Sequence, residues 1–166
     1  MDAAPNLELL ARLFEMHAFE PVLIGNAAAA IEGAPVTTLD FDFFFRKTPT
    51  NLRKLKAIAD ALDAILLRPY YPVSELYRMT RENDSLQVDF MAKIHGVRSF
   101  ESLRSRARVI RFGGHPLWVA SLSDIIRSKR AANRPRDRAV LEILEKTDAE
   151  KKAKPQGAAR RPQEGK

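Results

Sequence analysis

The chain has 166 residues, of which 45% are hydrophobic, so it can bury one sizeable core but is short for two domains. It contains no cysteine, which excludes disulfides and thiolate zinc sites, and its three histidines are too scattered for a metal motif. Its formal charge of +7 is uneven, because residues 146–166 carry seven Lys/Arg and three Asp/Glu, a net of +4. Any metal site must therefore use oxygen ligands.

The two ends of the chain differ in character. The first residues, MDAAPNLELLARLF, lack the cationic start and apolar run of a signal peptide, and no stretch approaches the ~20 apolar residues of a membrane span. We therefore expect a cytoplasmic protein with no membrane partner. Residues 147–166 have almost no large apolar side chains and predict a disordered basic tail after a single domain at 1–146. That tail is either a solvated segment or an attraction site for RNA or another acidic partner.

The first elements predict a strand between two helices. Apolar residues at helical spacing predict a helix over 6–18, and the run FEPVLI at 19–24 predicts a strand. Gly25 and Asn26 break that strand. The alanines that follow predict a short helix ending near Gly33.

The remaining elements complete a fold of the α/β (α+β) class. TTLDFDFFFR predicts a strand at about 37–45, followed by a helix capped by Thr50 or Asn51. SLQVDFMA alternates apolar and polar residues and predicts another strand. Two short strands around a Gly-Gly turn are predicted at 107–119, and two helices divided at 133–135 follow. We expect a small mixed β-sheet flanked by helices, with C-terminal helices.

The phenylalanine-rich strand carries two carboxylates on one face. Asp40 and Asp42 stand at i and i+2, whereas three of the four nearby phenylalanines point to the other face and are expected in the core. Two charges about 6 to 7 Å apart repel by about 2 to 3 kcal/mol unless a cation compensates. A basic neighbour such as Arg46 or Lys47 could neutralise them, water could screen them, or a divalent metal could bind with Asp89 as third ligand.

A place for phosphates lies beside these carboxylates. Hard oxygen donors suit Mg²⁺, which completes its shell with water and substrate phosphates. Gly25 ends a strand and Asn26 opens a helix, so their backbone amides could face an anion. The alternative is an ordinary turn with an asparagine cap.

Together these residues resemble the nucleotidyltransferase superfamily of the DNA polymerase β type. Its signature is a glycine with Ser or Gly at a helix start, an Asp-apolar-Asp pair on a strand, and a third Asp on a neighbouring strand. Here Gly25-Asn26 is followed by thirteen residues, then by Asp40-Phe41-Asp42, and later by Asp89. The helices near the C-terminus resemble small bacterial nucleotidyltransferase-like proteins of the abortive-infection toxin group, with a Lys-x-x-Ala-x-Arg-x-x-Asp pattern that ends at Asp137. The resemblance covers roughly residues 20–145.

The resemblance implies an activity, a cofactor and a site. The activity is transfer of a nucleoside monophosphate from a nucleoside triphosphate such as ATP to a hydroxyl of RNA, protein or a small molecule, with two Mg²⁺ ions or Mn²⁺ in their place. One kind of protein with this activity is a toxin component that has an antitoxin partner. The catalytic and metal-binding residues would be Asp40, Asp42 and Asp89. The nucleotide-binding residues would be Gly25, Asn26, Thr38, Lys129 and Arg134.

Two departures from the family pattern favour an alternative. Asn26 replaces the usual Ser or Gly, and Val36 stands where many relatives carry an arginine. A catalytically inactive protein of this fold, which binds nucleotide, RNA or a partner protein, therefore stays open, as does a regulatory module with salt-bridged aspartates. Lys129 could also be a solvated helix lysine, and Arg134 with Asp137 a helix-capping ion pair.

Overall fold

The computed structural model describes residues 3–38, 40–69 and 75–154. The helices are α1 (Ala4–Met16), α2 (Gly25–Ile31), α3 (Pro49–Ala61), α4 (Phe100–Arg106), α5 (Leu122–Ala132) and α6 (Pro135–Ala153). The strands are β1 (Val22–Ile24), β2 (Phe41–Phe44), β3 (Ile65–Leu67), β4 (Leu76–Arg81), β5 (Leu86–Met91), β6 (Arg108–Phe112) and β7 (His115–Val119). Within these ranges no helix is both long and apolar enough to cross a membrane.

The strands form one mixed sheet in the order β3-β4-β5-β2-β1-β7-β6. Strand β2 lies at the centre, antiparallel to β1 and parallel to β5, while β1 runs parallel to β7. The α/β (α+β) class, with a mixed sheet flanked by helices and two helices at the C-terminal end, is confirmed. The hairpin predicted at 107–119 is confirmed as the β6–β7 pair.

An aromatic cluster packs on the face of the sheet opposite the carboxylates. Phe43 is fully buried, stacks on Phe90 at 5.5 Å between ring centroids, and meets Phe14 of α1 edge to face at 5.1 Å. Phe44 projects to the Asp42 side but is buried against Phe100 of α4. Phe41 and Phe43 of β2 therefore pack in the core, as their alternation indicated, and Phe44 on the other face is buried as well.

Several element boundaries differ from the sequence predictions. Helix α3 is capped by Thr48, whose Oγ1 accepts the N–H of Asn51, because Pro49 occupies the first helical position and moves the cap forward. Strand β2 begins only at Phe41, so Asp40 precedes it, and residue 39 lies outside the described residues. Strands β3 and β4 and helix α4 had no counterpart in the prediction.

Helix α6 extends beyond the predicted start of the tail at Thr147. It runs to Ala153 because its last turns have polar partners: Lys152 pairs with Asp148 one turn earlier, and Lys151 reaches the buried Glu32 beyond α2. The predicted disorder of residues 147–153 is therefore wrong. Residues 155–166 lie outside the described residues.

Candidate active site

A cleft of about 560 Å³ lies between the sheet and helices α5 and α6. All eight residues predicted as site residues line it, although they come from five separate segments of the chain. They are Gly25, Asn26, Thr38, Asp40, Asp42, Asp89, Lys129 and Arg134. The carboxylates and glycine lie on the sheet side of the cleft, and the cations face them from α5 and the start of α6.

The central strands position two of the three carboxylates side by side. Asp42 of β2 pairs in register with Asp89 of the parallel strand β5, so their side chains project from neighbouring positions on one face. Asp40 directly precedes β2, and Thr38 fixes its backbone: the Thr38 hydroxyl accepts the Asp40 N–H at 3.2 Å and donates to the Asp40 carbonyl at 3.0 Å. The hydroxyl of Thr38 thus organises the segment that presents Asp40.

Asp42 is a carboxylate without a neutralising partner. Burial raises its pKa to about 6, and the charges of Asp89 and Asp40 add to this effect, while Lys129 and Arg136 oppose it. In the described part of the chain neither Asp40 nor Asp42 has a side-chain hydrogen bond or ion pair. The site therefore concentrates uncompensated negative charge where a cation would be stabilised.

The basic neighbours considered from the sequence are engaged elsewhere. Arg46 pairs with Glu101, and Lys47 lies 3.5 Å from Glu75. These ion pairs leave the two carboxylates uncompensated. The alternative in which either side chain neutralises the Asp40–Asp42 pair is therefore wrong.

Gly25 allows the chain to approach Asp42 closely. It has φ +69°, and a Cβ at this position would lie 2.7 Å from Oδ2 of Asp42. The next residue, Asn26, has a side-chain oxygen that is buried without a hydrogen-bond partner among the described residues. The absence of a Cβ at Gly25 therefore leaves room for the Asp42 carboxylate, and the next residue, Asn26, has an acceptor oxygen with no donor among the described residues.

The opposite wall of the cleft is cationic, but Lys129 and Arg134 both pair with Asp137 of the same wall. The Lys129 side chain is only 13% exposed and lies 3.7 Å from Asp137, so it is not a solvated helix lysine. Burial lowers the pKa of Lys129, and the charges of Arg134 and Arg136 act in the same direction. Arg134 donates to both Asp137 oxygens, at 2.6 and 3.2 Å, and Asp137 accepts the Arg134 N–H, which confirms the helix-capping ion pair at the start of α6.

Asp89 differs from the other two strand carboxylates because it already has a cationic partner. Arg78, directly opposite on β4, donates from Nε to Oδ1 at 2.8 Å and from Nη2 to Oδ2 at 3.0 Å. Across the described ranges no group of three or more acidic or histidine side chains is arranged to hold one metal ion. The three carboxylates share a cleft but not a common ligand cluster.

Sequence reasoning missed several residues that line the cleft. Arg78 lies on a strand that was not predicted, and Arg136 lies two residues after Arg134 in the run RPRDR. His95 lies in a turn and also lines the cleft, together with Asp124 of α5. The density of arginines around residues 134–138 was the signal that could have identified Arg136.

The geometry agrees with known structures at the level of the fold. No protein-family model matches the sequence, and the search of curated proteins found no match. The antibiotic-resistance factor ANT(2'')-Ia superposes with a TM-score of 0.57 at 15% identity, over 92% of this chain and 93% of that protein.

Two further solved structures give the same result. A candidate nucleotidyltransferase of Thermotoga maritima superposes with a TM-score of 0.55 at 16% identity, over 92% of this chain and 94% of that one. An antigenic nucleotidyltransferase-like protein of Paracoccidioides brasiliensis gives 0.54 at 14% identity, over 87% and 74%. With these neighbours and a mixed sheet that presents its aspartates to one cleft, this chain has the nucleotidyltransferase fold.

Proposed function

We propose that the protein is a metal-dependent nucleotidyltransferase that moves a nucleoside monophosphate from a nucleoside triphosphate to a hydroxyl acceptor. The observation that carries the proposal is the uncompensated pair Asp40 and Asp42, which faces Lys129 and Arg134 across one cleft of this fold. An acidic wall suits a cation and a basic wall suits phosphates. A metal-bound triphosphate brings both charges in one ligand.

The sheet side of the cleft fits a divalent cation. Asp40 and Asp42 offer hard oxygen ligands, and their mutual repulsion is the charge that such an ion removes. Mg²⁺ is the ion we propose, with Mn²⁺ as an alternative. When bound, it would offset charge on the phosphates and on the attacking and leaving oxygens. The prediction that Asp89 supplies a third ligand stays a prediction.

The basic wall supports triphosphate binding. Lys129 is largely buried, so its charge acts in a medium that screens it poorly. Arg136 is exposed at the rim, lines the cleft, and has no hydrogen bond or ion pair within the described residues, so it can meet a phosphate without breaking an existing contact. We propose that these two residues, with Arg134, hold the β- and γ-phosphates, and that Gly25 and Asn26 line the same pocket from the sheet side.

The transfer that this arrangement supports is an in-line displacement. The acceptor hydroxyl oxygen forms a bond to the α-phosphorus, the bond from that phosphorus to the bridging oxygen of the β-phosphate breaks, and pyrophosphate leaves. The cleft orients the triphosphate between its two walls, and the hydroxyl proton passes to a base or to water. RNA, protein and small molecules are the acceptor classes, and a toxin with an antitoxin partner is the biological role that the C-terminal pattern suggests.

A second candidate is a protein that binds nucleotide, RNA or a partner without catalysis. The bidentate contact from Arg78 favours it, because both oxygens of the third carboxylate are already engaged. Asn26 and Val36, where the family carries other residues, agree with it. This candidate predicts ligand affinity that is indifferent to Mg²⁺ and to Asp42.

Incorporation of labelled nucleotide tests the proposal. Purified protein is incubated with each labelled triphosphate, Mg²⁺ or Mn²⁺, and total RNA, protein or small-molecule extracts as acceptors. We expect label transfer that falls at least about 100-fold in Asp42→Ala. Asp60→Ala, which changes an exposed carboxylate of α3, is the matched control and should keep full transfer. Transfer that survives Asp42→Ala would contradict the proposal.

A further inference from the structure

The contact between Arg78 and Asp89 divides the three strand carboxylates into two kinds. Arg78 and Asp89 lie directly opposite each other on β4 and β5, with side chains only 26% and 10% exposed. Their two parallel hydrogen bonds form the fork arrangement that gives arginine–carboxylate pairs their strength. Asp40 and Asp42, in contrast, have no such partner among the described residues. Asp89 therefore has a paired cation, whereas Asp40 and Asp42 have none among the described residues.

The charges of the cleft match a single divalent ion. Asp40 and Asp42 together carry two negative charges, which one divalent ion neutralises. An ion bound to Asp89 would have to displace Arg78 and would leave a largely buried guanidinium beside a new cation. Both effects oppose a second metal at this position.

We infer that Arg78 keeps Asp89 out of the metal-ligand set, so that the cleft holds one divalent ion on Asp40 and Asp42, with the Arg78 guanidinium in place of a second ion. The inference rests on the proposed function. Arg78 is a positioning residue: it acts through Asp89 and contributes a fixed positive charge to the wall of the cleft. An arginine in this role keeps its charge at every physiological pH.

Mn²⁺ binding, followed by the electron paramagnetic resonance of the free ion, tests the inference without any turnover. Arg78→Gln/Asp89→Asn removes both charges at once, so the net charge of the cleft stays that of the wild type. We expect this double variant to bind Mn²⁺ within about threefold of the wild type, and Asp42→Asn to bind it at least about tenfold more weakly. Arg78→Gln alone frees Asp89 and should strengthen binding at least about tenfold.

A matched pair on the same hairpin controls for loss of an ion pair. Arg81 and Asp84 form a comparable contact at 2.6 Å, and neither lines the cleft. Arg81→Gln/Asp84→Asn should leave Mn²⁺ affinity unchanged. Thermal unfolding of every variant confirms that Mn²⁺ binding is measured on folded protein.

Three results would overturn the inference: Mn²⁺ affinity in Arg78→Gln/Asp89→Asn that falls as far as in Asp42→Asn, two tight ions per wild-type chain, or unchanged affinity in Arg78→Gln. If the wild type binds no Mn²⁺, the proposed metal site fails. The single-ion part of the inference then falls with it, whereas the part in which Arg78 keeps Asp89 from binding a metal stands if Arg78→Gln gains a site and falls if it does not.

Discussion

Asp124 on the α5 wall of the cleft and Asp42 on the sheet wall differ in how their negative charge is compensated. On the α5 side, Asp124 is 1% exposed and its carboxylate accepts three hydrogen bonds, two from Arg106 and one from Ser121. On the sheet side, Asp42 is crowded by Asp89 and Asp40 and has no hydrogen-bond partner among the described residues. Asp124 has the partners that a structural carboxylate requires, whereas the ionised Asp42 carboxylate has an unfavourable energy that a bound cation would relieve.

The largest expected effect on stability lies on the α5 side. Asp124→Ala leaves the Arg106 guanidinium without its partner and removes a hydrogen bond that fixes Ser121 at the helix start. We expect a loss of roughly 2 to 3 kcal/mol in the free energy of unfolding, measured in urea, because hydrogen bonds to a buried charged group are lost. A change below about 1 kcal/mol would show that the contrast between the two walls is misjudged.

Removal of the carboxylate charge of Asp42 on the sheet side should act in the opposite direction. Because the pKa of Asp42 is raised to about 6 in the folded protein, its ionisation opposes folding. The stability contributed by the protonated group is fully present below about pH 4 and is lost as the pH rises through about 6. Asp42→Asn should therefore stabilise the metal-free protein by roughly 2 kcal/mol at pH 7.5 and by almost nothing near pH 4.

Urea unfolding of the wild type and of Asp42→Asn from pH 4 to pH 8 checks the sign of this difference in stability. Taking the difference between wild type and variant cancels the titration of carboxylates far from Asp42, while Asp40 and Asp89, whose charges act on Asp42, belong to the measured effect. A variant that is less stable than the wild type at pH 7.5 would show that Asp42 has a stabilising partner and is not a vacant ligand position.

A smaller effect is expected at Gly25. Gly25→Ala must hold a left-handed φ and place its Cβ 2.7 Å from Oδ2 of Asp42. Gly114 also has a left-handed φ, at +82°, but its Cβ would meet nothing within 4 Å. Both alanine variants should lose about 1 kcal/mol. Only Gly25→Ala should also weaken Mn²⁺ binding, because it pushes the Asp42 carboxylate. Equal Mn²⁺ affinity in the two variants would show that the close approach at Gly25 is incidental.

The sequence predicted the centre of the fold better than its margins. Strands β1, β2 and β5 have long-range partners, but each also carries a local pattern of apolar residues bounded by turn residues, so the pattern alone was sufficient. Strand β4, LYRMTR, has adjacent apolar residues and two arginines, and becomes a strand by pairing with β3 and β5. Helix α6 continued past Thr147 because of Glu32, a partner more than 100 residues away.

The site shows the same division between local and distant information. The spacing of Gly25, Asp40 and Asp42 identified the acidic wall, because those residues are fixed by one strand and one turn. The partner of Asp89 depends on cross-strand register, and the partner of Lys129 depends on how α5 and α6 meet. Composition and periodicity do not encode these contacts, which decide whether a carboxylate is vacant or neutralised.

Thermal unfolding with each nucleoside triphosphate, with and without Mg²⁺, tests most directly whether the vacant carboxylates form a nucleotide–metal site. At a ligand concentration 100-fold above Kd, the wild type should gain about 2.7 kcal/mol, or roughly 5 to 10 °C in Tm, with at least one triphosphate and only when Mg²⁺ is present. Asp40→Asn/Asp42→Asn should lose that gain, and Asp60→Asn should keep it. Equal stabilisation without Mg²⁺ or in the double variant would contradict the account, as would no stabilisation by any triphosphate.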